Sequence, residues 1–306
     1  MQHRTLGPGG PSIAPWILGG NVFGWTADRA TSFAVLDAFL EAGFDTIDTA
    51  DVYSAWAPGN KGGESETIIG AWLAERGVRD RVVLMTKGGW GEGLRAAKIE
   101  AACEASLRRL GTDRVDVYFA HKPDPKTPIE ETLEAHQRLI QAGKVRAAGG
   151  SNYDAGGLRA ALGASGTERA RFAVLQPHYN LLVRDKYEGE LEALCAAEGL
   201  GVVPYYALAS GFLTGKYRTT ADLGKSWRGK DMDKHFTPRG LALLAALDRV
   251  AARHQATPAQ ISLAWLMARP SVTAPIASAT SVAQVQEIAR AATLVLTDED
   301  KAELAV

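Results

Sequence analysis

The stretch Thr31-Ser32-Phe33-Ala34-Val35-Leu36-Asp37-Ala38-Phe39-Leu40-Glu41-Ala42-Gly43-Phe44-Asp45-Thr46-Ile47-Asp48 holds one complete structural unit. Phe33, Val35, Leu36, Phe39 and Leu40 recur at helical spacing, which predicts an amphipathic helix over Thr31–Ala42. Gly43 stops it, as glycine does at a helix C-terminus. A short apolar and β-branched run, Phe44–Asp48, then reads as a strand. The same alternation extends in both directions along the chain. Strands are predicted over Trp16–Gly19, Val82–Thr86, Val115–Ala120, Ala147–Gly150, Ala173–Gln176, Gly201–Tyr205 and Val272–Ile276. Helices are predicted over Glu64–Arg76, ending at Gly77, over Lys98–Leu110, ending at Gly111, and over Ala259–Met267 behind the cap Thr257-Pro258. Most steps between strands suit a strand plus a crossover helix, the parallel βαβ unit.

Eight such strands predict an α/β protein, a closed (β/α)8 TIM barrel formed as one domain over residues 1–306. A doubly wound open sheet has the same periodicity and is the structural alternative. No GxGxxG opens a helix after the first strand, so the dinucleotide fingerprint of that alternative is missing. Residues Arg4–Pro15 read as an N-terminal hairpin turning at Gly7 to Gly10, and Thr214–Thr237 is a long polar connector after strand seven.

Composition narrows the class. The 306 residues are 46% hydrophobic and 23% charged with a net charge of −1, which supplies no field for nucleic acid or anionic lipid. No apolar run approaches the roughly 20 residues of a membrane span, and Met1–Gly7 lacks a secretory apolar segment, so a cytoplasmic protein is expected. Cys103 and Cys195 both fall in helical patterns and read as buried small hydrophobes; neither a disulfide framework nor a metal site is expected.

In a barrel, chemistry gathers at the C-terminal ends of the strands. There the second strand delivers Asp48, followed by Thr49-Ala50-Asp51-Val52-Tyr53; the third ends in Thr86-Lys87 and the fourth in Ala120-His121. Each has an ordinary explanation when taken alone: a turn aspartate, a rim tyrosine, a solvated lysine, a loop histidine. Their appearance on adjacent strand ends favours a shared pocket.

These runs resemble the catalytic tetrad of the aldo-keto reductase superfamily: Asp48, Tyr53, Lys87 and His121. The likeness extends through Gly149-Gly150-Ser151-Asn152, Leu175-Gln176-Pro177-His178-Tyr179-Asn180, Gly211-Phe212-Leu213-Thr214-Gly215-Lys216-Tyr217 and Ala274-Pro275-Ile276-Ala277-Ser278-Ala279-Thr280. It implies NAD(P)H-dependent reduction of an aldehyde or ketone, or the reverse oxidation, with Tyr53 as general acid. A phenol with a pKa near 10 needs tuning for that task, and a neighbouring Lys87 cation, kept charged by Asp48, is expected to lower it. His121 is expected to orient the carbonyl.

The resemblance also implies cofactor contacts. Ser151, Asn152 and Gln176 hold the nicotinamide carboxamide, and Tyr205 stacks on its ring. Leu208, Gly211 and Lys216 line the pyrophosphate, and Ser278, Thr280, Gln284 and Glu287 hold the adenosine end. Gly20, Asn21 and Asp48 join this set, as does Tyr206, which stands where relatives commonly carry serine. Residues 278–287 contain no Lys or Arg, although the family often uses one there for the 2′-phosphate; Lys216 and Arg228 are the substitutes, with NADP(H) expected and NAD(H) the alternative. An ordinary capped helix entry also explains Ser278 to Glu287. Trp25, Trp56 and Trp90 follow the first three strands and either pack on the rim or wall a pocket for a bulky carbonyl substrate.

Two other classes fit parts of the pattern. A Schiff-base aldolase or isomerase on the same barrel would use a neutral Lys87 as nucleophile, against the charge that Asp48 should hold on it. A cofactor-sensing channel subunit, known among relatives, would bind without turnover. The sequence does not determine oligomeric state or substrate.

Overall fold

The computed structural model describes residues 3–306; Met1 and Gln2, where the N-terminal reading and the one-domain expectation begin, lie outside the described residues. A hairpin of β1 (Arg4–Thr5) and β2 (Ser12–Ile13) comes first. Eight strands follow: β3 (Ile17–Gly19), β4 (Thr46–Asp48), β5 (Val83–Gly88), β6 (Val115–Ala120), β7 (Val145–Ser151), β8 (Phe172–Gln176), β9 (Gly201–Val202) and β10 (Ile276–Ala277). From β3 to β9 each pairs in parallel with the next, and β10 returns to pair with β3. The last seam is bridged where Thr273 N donates to Val202 O at 2.8 Å and Ile276 N to Pro204 O at 2.9 Å. The sheet therefore closes on itself as the expected (β/α)8 barrel.

The last two strands are shorter than Gly201–Tyr205 and Val272–Ile276. Pro204 and Pro275 have no N–H to give the ladder, and regular pairing breaks at both. Side-chain parity divides the core in two. Ile17, Met85, Val117, Phe119, Val174, Val203 and Ile276 point inward and fill the barrel, with Leu6 and Ile13 of the hairpin completing the same cluster. Alternate residues such as Leu18, Ile47, Leu84, Tyr118, Ala148 and Leu175 point outward against the helices. Gly7 holds the hairpin turn at φ +74°, where a Cβ would stand 2.1 Å from the Ala173 carbonyl oxygen, so only glycine lets the hairpin approach the barrel this closely.

The helical layer comprises α1 (Arg29–Glu41), α2 (Glu64–Arg76), α3 (Ala96–Leu110), α4 (Ile129–Gln141), α5 (Ala155–Ala164), α6 (Glu190–Ala197), α7 (Pro238–His254), α8 (Pro258–Met267), α9 (Val282–Ala291) and α10 (Asp298–Glu303). The α1 helix starts two residues ahead of Thr31 because the Asp28 carboxylate accepts from Thr31 N at 2.8 Å, making Asp28 the cap. The Thr257-Pro258 signal is a full capping box with Gln260. Cys103 and Cys195 are free thiols buried in α3 and α6. Among the described residues no helix is long and apolar enough to cross a membrane. The connector Thr214–Thr237 is not a structureless loop: it winds through three short turns, Thr220–Lys225, Trp227–Asp231 and Asp233–His235.

Candidate active site

The parity that fills the barrel with apolar side chains also builds its upper layer. On β3 and β4 the last inward positions are Gly19 and Asp48, which lie opposite each other. Asp48 in turn faces Met85, so the next inward side chain on β5 is Lys87. Lys87 pairs with Phe119, and two residues on is His121, whose N–H extends the ladder to Gly88 O at 3.0 Å. Ser151 and Gln176 end β7 and β8 opposite each other. Hydrophobic parity below thus dictates polar convergence above.

The Lys87 side chain, 1% exposed, donates to Asp48 Oδ1 at 2.7 Å, Asp48 Oδ2 at 2.8 Å and Thr49 O at 2.7 Å. Three short donated bonds are those of an ammonium, which has three donors and no acceptor. Asp48 also accepts Gln176 Nε2 at 2.9 Å and, at 3.4 Å, the Tyr53 hydroxyl. Lys87 Nζ lies 4.8 Å from the centroid of the Tyr53 ring. The four tetrad residues share one cavity wall.

The electrostatics differ from the sequence expectation. Burial, followed by the Asp48 carboxylate, pushes the Tyr53 phenol well above its ordinary pKa. Lys87 does not reverse this in the resting site, because the Asp48 carboxylate paired with it acts on the same phenol with the opposite charge. Burial pushes the Lys87 ammonium down against the upward pull of Asp48. Tyr53 is therefore a protonated donor at neutral pH. Burial, with Lys87 and Lys122 adding to it, lowers His121 to about 3, so its imidazole is neutral. His121 Nδ1 is buried without a hydrogen-bond partner. That nitrogen is closed off from the cavity, so it is the rest of the imidazole that lines it.

From the tetrad the cavity, about 880 Å³, runs along the barrel mouth. Asn21, Ser151, Asn152, Gln176, Tyr205, Tyr206, Leu208, Gly211, Lys216, Arg228, Ser278, Thr280, Gln284 and Glu287 all line it, as do Trp56 and Trp90. Gly20 and Trp25 do not. Gly20 donates its N–H to Asp48 O, fixing the β3 end, and Trp25 stands behind Trp56 in an edge contact at 5.6 Å. Several lining groups hold one another: Ser151 Oγ donates to Gln176 O, Asn152 Nδ2 to His121 O, and the Tyr205 hydroxyl to Asn152 Oδ1 at 2.6 Å. Ser278 Oγ donates to Asn21 Oδ1, while Gln284 Oε1 accepts from Thr280 N. Glu287 accepts from Thr257 Oγ1.

The site also uses residues that carry no isolated sequence signal. Trp227 from the long connector lines the cavity, with its ring 6.3 Å from that of Trp25. His178 stacks on Tyr205 at 5.2 Å and 23°, holding one ring face. Tyr206, Ala209 and Ser210 all have positive φ, at 55°, 47° and 57°. Each non-glycine residue in that region costs about 1–3 kcal/mol, and such strain gathers where backbone is shaped around a ligand. The resemblance marks Tyr206, whereas no periodicity announces Ala209 or Ser210, which lie just before the Gly211–Tyr217 run.

Comparison with known proteins gives the same frame. The family model described as the aldo/keto reductase family matches residues 15–305. The chain is 34% identical to a protein named uncharacterized oxidoreductase YrpG from Bacillus subtilis, covering 98% of this chain and 93% of that one. It is 33% identical to a probable voltage-gated potassium channel subunit beta of Arabidopsis thaliana, covering 94% and 90%. It is 29% identical to norsolorinic acid reductase A of Aspergillus parasiticus, covering 99% and 80%. With its barrel and a match over nearly its whole length, the chain belongs to the aldo/keto reductase family, and with it to the oxidoreductases.

Proposed function

We propose that the protein reduces an aldehyde or ketone to the alcohol with a reduced nicotinamide dinucleotide, NADPH in preference to NADH, and with Tyr53 as the proton donor. The observation that carries this reading is the meeting of a protonated Tyr53, the Asp48–Lys87 pair and the neutral imidazole of His121 at one end of an elongated cavity. At about 880 Å³ the cavity lies near the top of the range of roughly 300–1,000 Å³ for small-molecule sites, leaving room for a dinucleotide and a substrate.

The lining fits a dinucleotide. Asn152, Ser151 and Gln176 present amide and hydroxyl groups beside the tetrad, and Tyr205, backed by His178, offers its other face for stacking. Lys216 lies by the left-handed turn at Gly211, with its Nζ 3.7 Å from where a Cβ there would stand, and is the cation proposed for phosphate. The first turn of α9, carrying Gln284 into the groove, adds a partial positive charge suited to an anion. The bound dinucleotide supplies a hydride to the carbonyl carbon.

The residues of the chain do the rest. His121, neutral, meets the carbonyl oxygen with a ring nitrogen and aligns it beside Tyr53. Tyr53 gives its hydroxyl proton to that oxygen as negative charge develops there. Lys87 lies beside the ring with its charge held by Asp48, and this steadies the phenolate left behind. The same three donated bonds argue against the Schiff-base alternative, since Lys87 has no free lone pair for a carbonyl carbon.

The test is turnover of a broad aldehyde and ketone panel with NADPH, together with Tyr53→Phe. Turnover in the wild type should fall by about 10²–10⁴-fold in that variant, while NADPH affinity, read from tryptophan quenching, stays close to wild type. Loss of NADPH binding in Tyr53→Phe would make Tyr53 structural. NADPH binding without turnover of any panel member would favour the channel-subunit role named in the Arabidopsis relative.

A further inference from the structure

Behind the barrel wall that carries the tetrad lies a second polar cluster, on the outward face of the strands. Thr86 precedes Lys87 on β5, so its side chain points away from the cavity. Its Oγ1 donates at 2.6 Å to Oε1 of Glu66, in the first turn of α2. The other carboxylate oxygen of Glu66 accepts from Arg109 of α3, from Nε at 2.7 Å and Nη2 at 2.6 Å. Gly63 leaves the lane for that guanidinium, since a Cβ there would stand 2.5 Å from Arg109 Cδ and Nε. Glu66 and Thr86 are both 0% exposed. The neighbouring Ser65, equally buried, donates to Gly20 O at 2.7 Å and meets Thr49 Oγ1 at 2.9 Å. One helical turn thus grips the chain at the ends of β3, β4 and β5 in succession.

Stability does not explain a carboxylate sunk in this wall. Desolvation offsets most of the attraction in a buried ion pair, and apolar side chains of the same shape often hold two helices as well. An apolar side chain cannot fix a strand end through its hydroxyl. The group that needs such fixing is one residue away. Lys87 Nζ reaches Asp48 Oδ1, Asp48 Oδ2 and Thr49 O at once, all at the end of β4, and lies 4.8 Å from the Tyr53 ring centroid. A small slide of β5 against β4 would break that three-way fit. Charge works in the same sense: burial pushes the Lys87 ammonium down, and Asp48, then Asp51 and Glu66, pull it up.

We propose that Glu66, oriented by Arg109, is a positioning residue of the reaction centre: through the Thr86 hydroxyl it fixes the end of β5, and so keeps Lys87 on Asp48 and beside Tyr53. The placement of Lys87 stands on contacts within the protein alone, whereas its effect on turnover rests on the carbonyl-reductase reading.

Three variants separate positioning from stability. Thr86→Val removes the hydroxyl and leaves the Glu66–Arg109 pair. The double variant, Glu66→Leu with Arg109→Met, removes the pair without stranding a charge. Glu66→Gln keeps an acceptor for Thr86. Each is followed by the Lys87 Cε–Hε cross-peak in a carbon–proton NMR spectrum, assigned by its absence in Lys87→Met. Each is also followed by kcat and KM with para-nitrobenzaldehyde and NADPH, and by the urea midpoint of unfolding. Thr86→Val and the double variant should move the Lys87 cross-peak and lower kcat by about 10- to 100-fold, with little change in KM for NADPH. The urea midpoint of the double variant should stay close to wild type, and Glu66→Gln should recover part of kcat. An unmoved cross-peak with wild-type kcat in Thr86→Val would overturn the proposal, whether or not the double variant folds. So would a kcat loss that only tracks the urea midpoint across the series, which would make Glu66 a stability residue. A displaced cross-peak in Thr86→Val, with no aldehyde turned over by the wild type, would sink the reductase reading and leave the positioning of Lys87 standing.

Discussion

Replacing Lys87 with methionine should cost far more stability than removing a surface lysine. Both members of the Asp48–Lys87 pair are 1% exposed, and the contact is 2.7 Å. At an effective dielectric of about 20, Coulomb's law gives an attraction of about 6 kcal/mol at that distance. Desolvation of two ions costs several kcal/mol each, so the intact pair is close to neutral against an apolar substitute of the same shape. The asymmetry appears when one partner goes. Lys87→Met leaves Asp48 buried with only Gln176 Nε2 and the long Tyr53 contact, which should cost about 3–5 kcal/mol. Asp48→Asn leaves the ammonium with Thr49 O and a neutral amide, at a similar cost. The double variant buries no charge and should recover most of both losses. Equilibrium urea unfolding of the four proteins measures the coupling as a double-mutant cycle. A Lys87→Met loss under about 1 kcal/mol, the value of a surface pair, or a double variant as unstable as the two singles summed, would refute the picture of a desolvated pair.

Two further outcomes follow from the same burial. Because desolvation lowers His121 to about 3, its imidazole resonances should not titrate between about pH 5 and 8 in an NMR series, whereas a midpoint near 6.5 would place His121 in solvent. Asp51 is pushed up to about 6, first by burial and then by Glu66, and its Oδ1 has no partner. A raised carboxyl pKa favours the folded state at low pH, an advantage that is lost as pH rises through about 6. Asp51→Asn should therefore stabilise the protein above that pH by up to about 3 kcal/mol and change little below about pH 4; a gain independent of pH in urea unfolding would exclude ionisation as the cause.

The strand–helix alternation and the strand-end places of Asp48, Lys87 and His121 were legible in the sequence, because both depend on short-range periodicity. Closure of the sheet was not, because an open sheet has the same periodicity. Helical spacing in Thr31–Ala42, the stop at Gly43 and strand character through Asp48 are local, and once strand parity is set, inward Met85 requires inward Lys87. Strand ends were less legible where a single residue interrupts pairing, as Pro204 and Pro275 do. Tertiary structure alone decided the electrostatics. The motif puts Lys87 near Tyr53, but only the fold buries the phenol and sets it against the Asp48 carboxylate, which leaves it raised. It alone withdrew Trp25 from the cavity, drew in Trp227 and set Arg228 on Trp25 without a carboxylate. The physical reason is range: backbone periodicity is written in neighbouring residues, whereas desolvation and pairing depend on groups brought together from strands and connectors far apart in the chain.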